Sequence, residues 1–243
     1  MQDRLHMTSH PGTNPEPFTA TVAEIDGDFI ILSESYCYPR GGGQPGDRGS
    51  FNGNLGDSEF GEVLGGNFIR HPVDSPDKFS VGEQIECRIN QEVRNRHAKM
   101  HTAQHIVSAM ADDLWGAETA GNQISTHYTR IDLLFENREV YDSQILEDSV
   151  NEIIGSNTEV LVHDWSREKI VGHEQMRHTK FMDRIPSSIP TLRVVEIQGI
   201  DLCPCAGTHV GNTDDVESIV ITNVKSKGAG KFRITYQFEN ELE

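Results

Sequence analysis

Two short stretches of the sequence decide the fold around them: His101-Thr102-Ala103-Gln104-His105 and Cys205-Ala206-Gly207-Thr208-His209. Each stretch places two good metal ligands four positions apart. On a helix, residues four apart lie about 40° from each other around the axis, so both imidazoles of the first stretch can reach one ion. Thiolate and imidazole are ligands that zinc favours, and together the two stretches predict a four-ligand zinc site.

A long helix is predicted over residues 91–115, because its apolar residues recur at helical spacing on one stripe. His97, His101 and His105 follow at steps of four on a roughly opposite stripe. Histidines on a solvent-exposed face would show the same spacing, so this alternative stays open from the spacing alone. No glutamate follows His101, which argues against the His-Glu-x-x-His metalloprotease motif. Cys203 is a further possible sulfur ligand, although it lacks the four-residue step to His209.

The composition indicates a protein that can bury a substantial core. The chain has 243 residues, of which 35% are hydrophobic, so two domains or one large one are expected. No apolar run approaches the roughly 20 residues that span a bilayer, and segment 1–17 lacks the apolar core of a signal peptide. The four cysteines do not form a disulfide framework in a chain of this length. We therefore expect a cytoplasmic protein with no membrane segment.

The net charge of −17 works against binding a polyanion such as RNA at long range. Two explanations would reconcile the net charge with binding of RNA. The protein has a local basic face within the acidic surface, or the cell has high internal salt that screens the repulsion. Basic residues do cluster, in segments 88–99, 177–184 and 225–233. Such runs are consistent with solvent-exposed faces or with a surface that binds along the phosphate backbone of a nucleic acid.

The pattern of elements predicts an α+β protein with two domains, 1–90 and 91–243. Short strands with turn signals and no helix favour a small N-terminal β-barrel over about 15–90, including a hairpin around Asp26-Gly27. Beyond residue 90, helices over 91–115 and 141–155 alternate with strands over 123–135, 159–163 and 192–197. The last two strands, 216–224 and 232–238, are predicted to be an antiparallel pair, so a mainly antiparallel sheet is expected.

A glycine-rich segment, Tyr38-Pro-Arg-Gly-Gly-Gly-Gln-Pro-Gly-Asp-Arg-Gly49, interrupts the barrel strands. Three consecutive glycines lose much entropy on ordering, so a use is expected for them, such as bare N–H groups that line a ligand site. The alternative is a tight loop between strands. No Gly-Lys-Ser or Gly-x-Gly-x-x-Gly pattern follows, so the usual nucleotide sites are not supported.

Taken together and in this order, Gly-Gly-Gly-Gln-Pro-Gly-Asp-Arg-Gly, His-Thr-Ala-Gln-His and Asp201-Leu-Cys-Pro-Cys-Ala-Gly-Thr-His-Val-Gly-Asn-Thr213 strongly resemble the AlaX family. Its members are free-standing relatives of the editing domain of alanyl-tRNA synthetase. The resemblance runs from about Phe18 to Phe238 and is closest to the medium-length form, which has an N-terminal β-barrel and an editing domain. It implies hydrolysis in trans of tRNA(Ala) wrongly charged with serine or glycine.

The resemblance also implies roles for individual residues. The Zn²⁺ ligands are expected to be His101, His105, Cys205 and His209. Thr102 and Gln123 are candidates for contacting the aminoacyl group or the attacking water, and Gly42, Gly43 and Gln44 would lie at the rim of the pocket. Ala206 stands where the family commonly has glycine, a departure that removes no ligand.

The chemistry leaves two alternatives open at this point. An aminoacyl ester is already activated, so its hydrolysis requires a placed water, stabilisation of the oxyanion and a positioned ribose. Zinc can polarise the carbonyl or lower the pKa of bound water. Four protein ligands, however, are typical of structural zinc, whereas catalytic zinc keeps an open position. A non-catalytic zinc-stabilised tRNA-binding module and a zinc hydrolase of another small ester are therefore the rival hypotheses.

Overall fold

The computed structural model describes residues 2–8, 15–176, 185–228 and 230–241. These residues form two compact units, Met1–His97 and Ala98–Glu243. The predicted boundary lies near residue 90, and the assignment of 1–90 and 91–243 as domains stays a prediction. The predicted basic segment around Arg177, Lys180 and Arg184 lies outside the described residues.

The first unit is built from short strands. In chain order it contains β1 (Asp3–Arg4), α1 (Leu5–Thr8), β2 (Phe18–Asp26), β3 (Phe29–Leu32), β4 (Glu34–Ser35), β5 (Gly49–Gly53), β6 (Gly56–Phe60), β7 (His71–Pro72), a short 3-10 helix (Pro76–Lys78) and β8 (Gln84–Ile89). Six of these strands form one sheet in the order β6-β5-β8-β2-β3-β7, with antiparallel neighbours throughout. β1 pairs in parallel with β4.

The predicted hairpin at Asp26-Gly27 joins β2 to β3. Gly27 has a φ of +57°, a left-handed conformation that favours glycine. The alternate residues Ala20, Val22, Ile30 and Leu32 are buried in the core of this unit, as period-2 patterning requires. The sheet is therefore antiparallel with one apolar face, and its closure into a barrel stays a prediction.

A buried ion pair, Arg94 with Asp47, lies within the first unit. Both side chains are almost fully buried, and Arg94 Nε donates to Asp47 Oδ1 over 2.9 Å. Arg94 Nη2 also donates to the carbonyl of Tyr36, and Asp47 Oδ2 accepts from the backbone N–H of Tyr38. Arg94 is thus a structural cation. Its place in the predicted basic cluster of residues 88–99 is explained by this pairing and not by a surface role.

The second unit begins within a long helix. Its elements are α2 (Gln91–Trp115), β9 (Glu118–Ile124), β10 (Thr129–Leu134), α3 (Ser143–Ile154), β11 (Val160–Ser166), α4 (Arg167–Val171), β12 (Thr191–Ile197), β13 (Asp201–Pro204), β14 (Ile219–Ser226) and β15 (Lys231–Phe238), with short 3-10 helices at Arg138–Val140, Thr213–Asp215 and Glu239–Glu241. The strands form two antiparallel sheets, β14-β15-β10-β9 and β11-β12-β13. The predicted antiparallel pairing of the last two strands is confirmed. The predicted strand over 123–135 is wrong in extent, because residues 125–128 turn between β9 and β10.

Both ends of α2 are set by local sequence. At its start Asn90 accepts a hydrogen bond from the N–H of Val93, which satisfies one of the free donors of the first turn. At its end Gly116, with φ +62°, donates to the carbonyl of Asp112, which is the single bond of the αL C-cap motif, and Ala117 donates to the carbonyl of Ala111. The predicted helix over 91–115 is confirmed. No helix in the described part of the chain is both long and apolar enough to cross a membrane.

The middle of α2 is enclosed by protein. Every residue from Met100 to Ala109 is buried. Ala103, Ile106 and Val107 pack into the main core of the second unit. His101 and His105 are only 3% and 4% exposed, so the alternative of a solvent-facing histidine stripe is wrong for these two residues.

Candidate metal centre and pocket

Two elements bring the predicted ligands together. α2 carries His101 and His105 one turn apart, and the segment after β13 carries Cys205 and His209. One ligand atom from each residue lies within 4.8 Å of every other. The Sγ of Cys205 is 3.7 Å from Nε2 of His101 and 3.4 Å from Nε2 of His209.

These separations fit tetrahedral zinc. Bond lengths of about 2.3 Å to sulfur and about 2.05 Å to nitrogen give a sulfur-to-nitrogen edge of about 3.5 Å. Zinc also favours this donor set of one thiolate and three imidazoles. The four residues therefore fit Zn²⁺ in both chemistry and spacing.

A carboxylate orients one of the ligand rings. Nδ1 of His105 donates to Oδ2 of Asp201 over 2.9 Å, and both side chains are buried. This bond turns Nε2 of His105 towards the cluster, in the arrangement that metal-binding histidines usually adopt. Burial lowers the pKa of His105, but the Cys203 sulfur and the hydrogen bond to Asp201 outweigh it and hold that pKa well above its usual value.

A hydroxyl orients a second ring. The Thr102 hydroxyl donates to the carbonyl of Ala98 over 3.0 Å, so its oxygen is left to accept from Nδ1 of His209 at 3.1 Å. The N–H of Val210 also lies 3.3 Å from this oxygen. His209 thereby presents Nε2 to the cluster. Thr102 is fully buried, and its contacts are those of a residue that positions a ligand.

The Cys205 sulfur lies in an environment that favours the thiolate. Burial alone raises the pKa of Cys205, but the nearby imidazoles of His101 and His209 outweigh burial and lower it well below its usual value. The N–H of Gly207 also points at the sulfur, at 3.3 Å. Arg193 fixes the backbone here, since its Nη1 donates to the Cys205 carbonyl at 2.6 Å and its own carbonyl accepts from the Cys205 N–H.

Cys203 belongs to a neighbouring group with His105 and Asp201. Its sulfur is 3.5 Å from Nδ1 of His105, the nitrogen that faces away from the four-ligand cluster. Burial raises the pKa of Cys203 to about 12. Cys203 is therefore a neutral thiol behind the His105 ring, and Cys205 is the sulfur of the cluster.

A chain of neutral polar side chains lies beside the ligand stripe of α2. Asn122 of β9 donates to Gln104, Gln104 donates to Ser108, and Thr119 donates to Ser108, each over 2.8 Å. Gln104, Ser108 and Thr119 are buried, whereas Asn122 is half-buried. Because burying neutral polar groups costs free energy even when they are paired, such a chain beside a metal cluster is a candidate recognition surface. No sequence pattern predicted this chain, although Gln104 stands inside the His-x-x-x-His motif.

Gln123 lies on the other side of the same strand. It is exposed, pairs with Arg130 across the ladder, and follows Asn122 directly, so the two side chains point to opposite faces of the sheet. The structure therefore brings Asn122 to the polar chain and does not bring Gln123 there. Period-2 alternation read back from buried Ile124 could have identified Asn122 from the sequence.

The glycine-rich segment forms a tight turn in the first unit. Gly41 and Gln44 exchange both backbone hydrogen bonds, at 3.1 and 2.8 Å. Gly42 and Gly43 occupy the centre of this turn with φ of +55° and +86°, values that strongly favour glycine at both positions. Gly42 and Gly43 are exposed, whereas Gln44 is buried at 1%. The backbone adopts the tight loop that was the alternative for this segment. A ligand role for the turn stays a prediction.

Comparison with known proteins identifies the class first. Residues 192–235, which run from β12 to β15 and include Cys205 and His209, match the family model described as the threonyl and alanyl tRNA synthetase second additional domain. The chain is thus related to synthetase-associated domains.

Three relatives narrow the class. The chain is 33% identical over 90% of its length to alanyl-tRNA editing protein AlaX-M of Saccharolobus solfataricus, of which it covers 92%. It is 31% identical to AlaX-M of Methanosarcina mazei, with 90% of each chain covered. It is 30% identical to alanyl-tRNA editing protein Aarsd1 of Mus musculus, covering 90% of this chain and 51% of that one. This protein belongs to the AlaX family, as its motifs predict.

Proposed function

We propose that this protein is a trans-editing hydrolase that removes serine or glycine from wrongly charged tRNA(Ala) in the cytoplasm. One observation carries the proposal: a largely buried cluster of four zinc-type ligands lies beside a largely buried chain of neutral polar side chains in a protein of the AlaX family. The names of the relatives, alanyl-tRNA editing proteins, support the same reaction.

His101, His105, Cys205 and His209 would hold Zn²⁺, which when bound polarises the ester carbonyl or lowers the pKa of a water. The other residues position these ligands. Asp201 and Thr102 hold two of the imidazole rings, and Arg193 holds the backbone of Cys205. Because the Thr102 hydroxyl already bonds to Ala98 and His209, positioning is a better role for it than the predicted contact with the aminoacyl group.

Selection of serine over alanine depends on one hydroxyl group. Asn122 is half-buried and bonds to Gln104, so we assign to this amide pair the recognition of the serine hydroxyl. Binding of alanine would leave those buried polar groups unpaired, which penalises the correctly charged tRNA. Replacement of Asn122 by Leu should therefore lower the ratio of serine to alanine release while leaving bound zinc unchanged.

The N-terminal unit has a supporting role in this proposal. An isolated antiparallel bridge between Phe60 and Val73 joins the ends of the two outermost strands of its sheet, which supports the predicted barrel. The exposed N–H groups of Gly42 and Gly43 are candidates for contacting the terminal nucleotides, with buried Gln44 fixing the turn.

The decisive experiment measures deacylation of Ser-tRNA(Ala), with Ala-tRNA(Ala) as the control substrate. Wild type and Cys205→Ala are compared, with bound zinc and circular dichroism recorded for both. We expect rapid serine release by wild type and its collapse in a folded Cys205→Ala protein. No release by zinc-loaded wild type would overturn the proposal.

A second function is supported by the closed set of four ligands, which is typical of structural zinc. In that case the protein is a zinc-stabilised tRNA-binding module without hydrolytic activity. It would bind tRNA(Ala) without releasing any amino acid, and loss of zinc would unfold it.

A further inference from the structure

The outward face of the sheet β14-β15-β10-β9 is unusual in a chain of net charge −17. Its strands contain four basic residues, Arg130, Lys225, Lys231 and Arg233, and two acidic ones, Glu118 and Asp132. The sheet thus has a net charge of +2 from these residues. The remainder of the chain holds the whole acidic excess.

Strand alternation places the basic residues on the same face. In β10 and β15 the residues Ile131, Leu133, Ile234 and Tyr236 are buried in the core, and the residues between them face outward. Lys225 lies opposite Arg233, and Arg233 lies opposite Asp132. Lys231 is two positions from Arg233 along the same strand. The charges therefore form one continuous array.

Asp132 forms a salt bridge with only one of these cations. It accepts two hydrogen bonds from Arg233, at 2.7 and 2.8 Å, in a bidentate pair. Among the described residues, Arg130, Lys225 and Lys231 form no salt bridge. These three charges are thus available to an external anion.

We propose that this outward face binds the phosphate backbone of the tRNA substrate. The inference rests on the proposed function, and it reconciles an acidic protein with a polyanionic substrate through a local basic face. Phosphate contacts of this kind supply affinity and orientation without reading sequence.

The edge strand β9 links this face to the chain of polar side chains. Asn122 points to the polar chain beside the ligands and Gln123 points to the outward face, next to Arg130. The backbone of a tRNA on the outward face can therefore pass its single-stranded 3′ end over β9 to the polar chain. Gln123 then contacts RNA and not the aminoacyl group.

The test measures binding of uncharged tRNA(Ala) by the zinc-loaded full chain at several KCl concentrations. The variants are Lys225→Gln/Lys231→Gln and Lys225→Glu/Lys231→Glu. Lys169→Glu/Lys78→Glu is the matched control, because it makes the same charge change at one exposed and one half-buried lysine outside the sheet, the same burial classes as Lys225 and Lys231. Circular dichroism verifies the fold of each variant.

We expect the glutamine variant to reduce the magnitude of the slope of log Kd against log salt by about 1.4 to 1.8, because each of the two lost phosphate contacts contributes about 0.7 to 0.9. The glutamate variant should weaken binding at least about tenfold at low salt, and the control by much less. In deacylation assays the sheet variants should raise KM more than they lower kcat.

An unchanged salt slope in the sheet variants, or equal weakening in the Lys169/Lys78 control, would overturn the proposal even if wild type releases serine. Loss of binding specific to the sheet variants, with no serine release by wild type, would support the surface and refute the deacylase. The two failures are thus distinguishable.

Discussion

In the first unit the buried guanidinium of Arg94 meets the carboxylate of Asp47, whereas in the second unit the buried His101 and His209 meet the half-buried Cys205. The first arrangement is complete, because each charge has an opposite charge from the protein. The second brings electron-pair donors to a common point, an arrangement that a cation stabilises. The Arg94–Asp47 pair of the first unit is therefore structural, whereas the histidine and cysteine cluster of the second unit is a candidate site.

The difference extends to the surrounding residues. Asp47 and Arg94 bond to the backbone of Tyr36 and Tyr38 and so fix the segment before the glycine turn. Asp201 and Thr102 instead bond to the far nitrogens of His105 and His209 and so leave Nε2 of each ring directed at the cluster. Burial by itself does not distinguish a site from a structural pair, but the direction of the lone pairs does.

Metal removal should have the largest effect and should act on the second unit. Both tryptophans, Trp115 and Trp165, lie in that unit, so their fluorescence reports its unfolding. We expect a strong chelator to lower the urea midpoint of the fluorescence transition by an amount that corresponds to several kcal/mol. Restoration by added Zn²⁺ is the control. A midpoint that is the same with and without metal would contradict the metal assignment.

Breaking the Arg94–Asp47 pair should destabilise the protein while leaving the metal cluster intact. Replacement of Arg94 by Met leaves a buried carboxylate without its partner, which costs about 3 to 5 kcal/mol. Urea unfolding followed by circular dichroism measures the cost, and zinc content should stay at one ion per chain. The double variant Arg94→Met/Asp47→Leu should recover most of the loss. A cost below about 1 kcal/mol for Arg94→Met would refute the structural role.

His97 should make stability depend on pH. This residue of α2 is 3% exposed, and burial lowers its pKa to about 4, although Asp47 and Glu62 partly oppose the shift. The unfolded chain takes up this proton near pH 6.5 and the native protein only near pH 4, so stability falls between these values by about 3 kcal/mol at most and is unaffected above pH 7. The difference in unfolding free energy between wild type and His97→Gln, measured from pH 7 to 4, should show this slope. Parallel curves would contradict it.

The smallest effect should come from the groups that orient the ligands. Asp201→Ala removes the partner of His105 Nδ1 and should weaken zinc binding about 10- to 100-fold in a competition titration with a chelator. Asp201→Asn, whose oxygen still accepts from that nitrogen, should weaken it less. Equal affinities in Asp201→Ala and wild type would show that the His105 ring needs no partner.

Much of this arrangement follows from local sequence. The helix 91–115, the hairpin at Asp26-Gly27 and the antiparallel last strands were predictable, because caps, turn residues and alternation act within a few residues of each other. The four candidate ligands were predictable because the four-residue spacing within each pair and the AlaX resemblance agree on them. The double role of β9 was missed, although alternation from Ile124 indicates Asn122, because one residue of register decides whether Asn122 or Gln123 faces α2.

The sequence by itself determined the family, the candidate ligand residues and the helix that carries two of them, since these depend on residue types at fixed spacing. Tertiary structure decided that Arg94 is a buried structural cation, that Thr102 and Asp201 orient ligand rings, and that Lys225, Lys231 and Arg130 share one outward face. The physical reason is that a buried polar group is assigned its role by its partner, and these partners are 47 to 107 residues away along the chain.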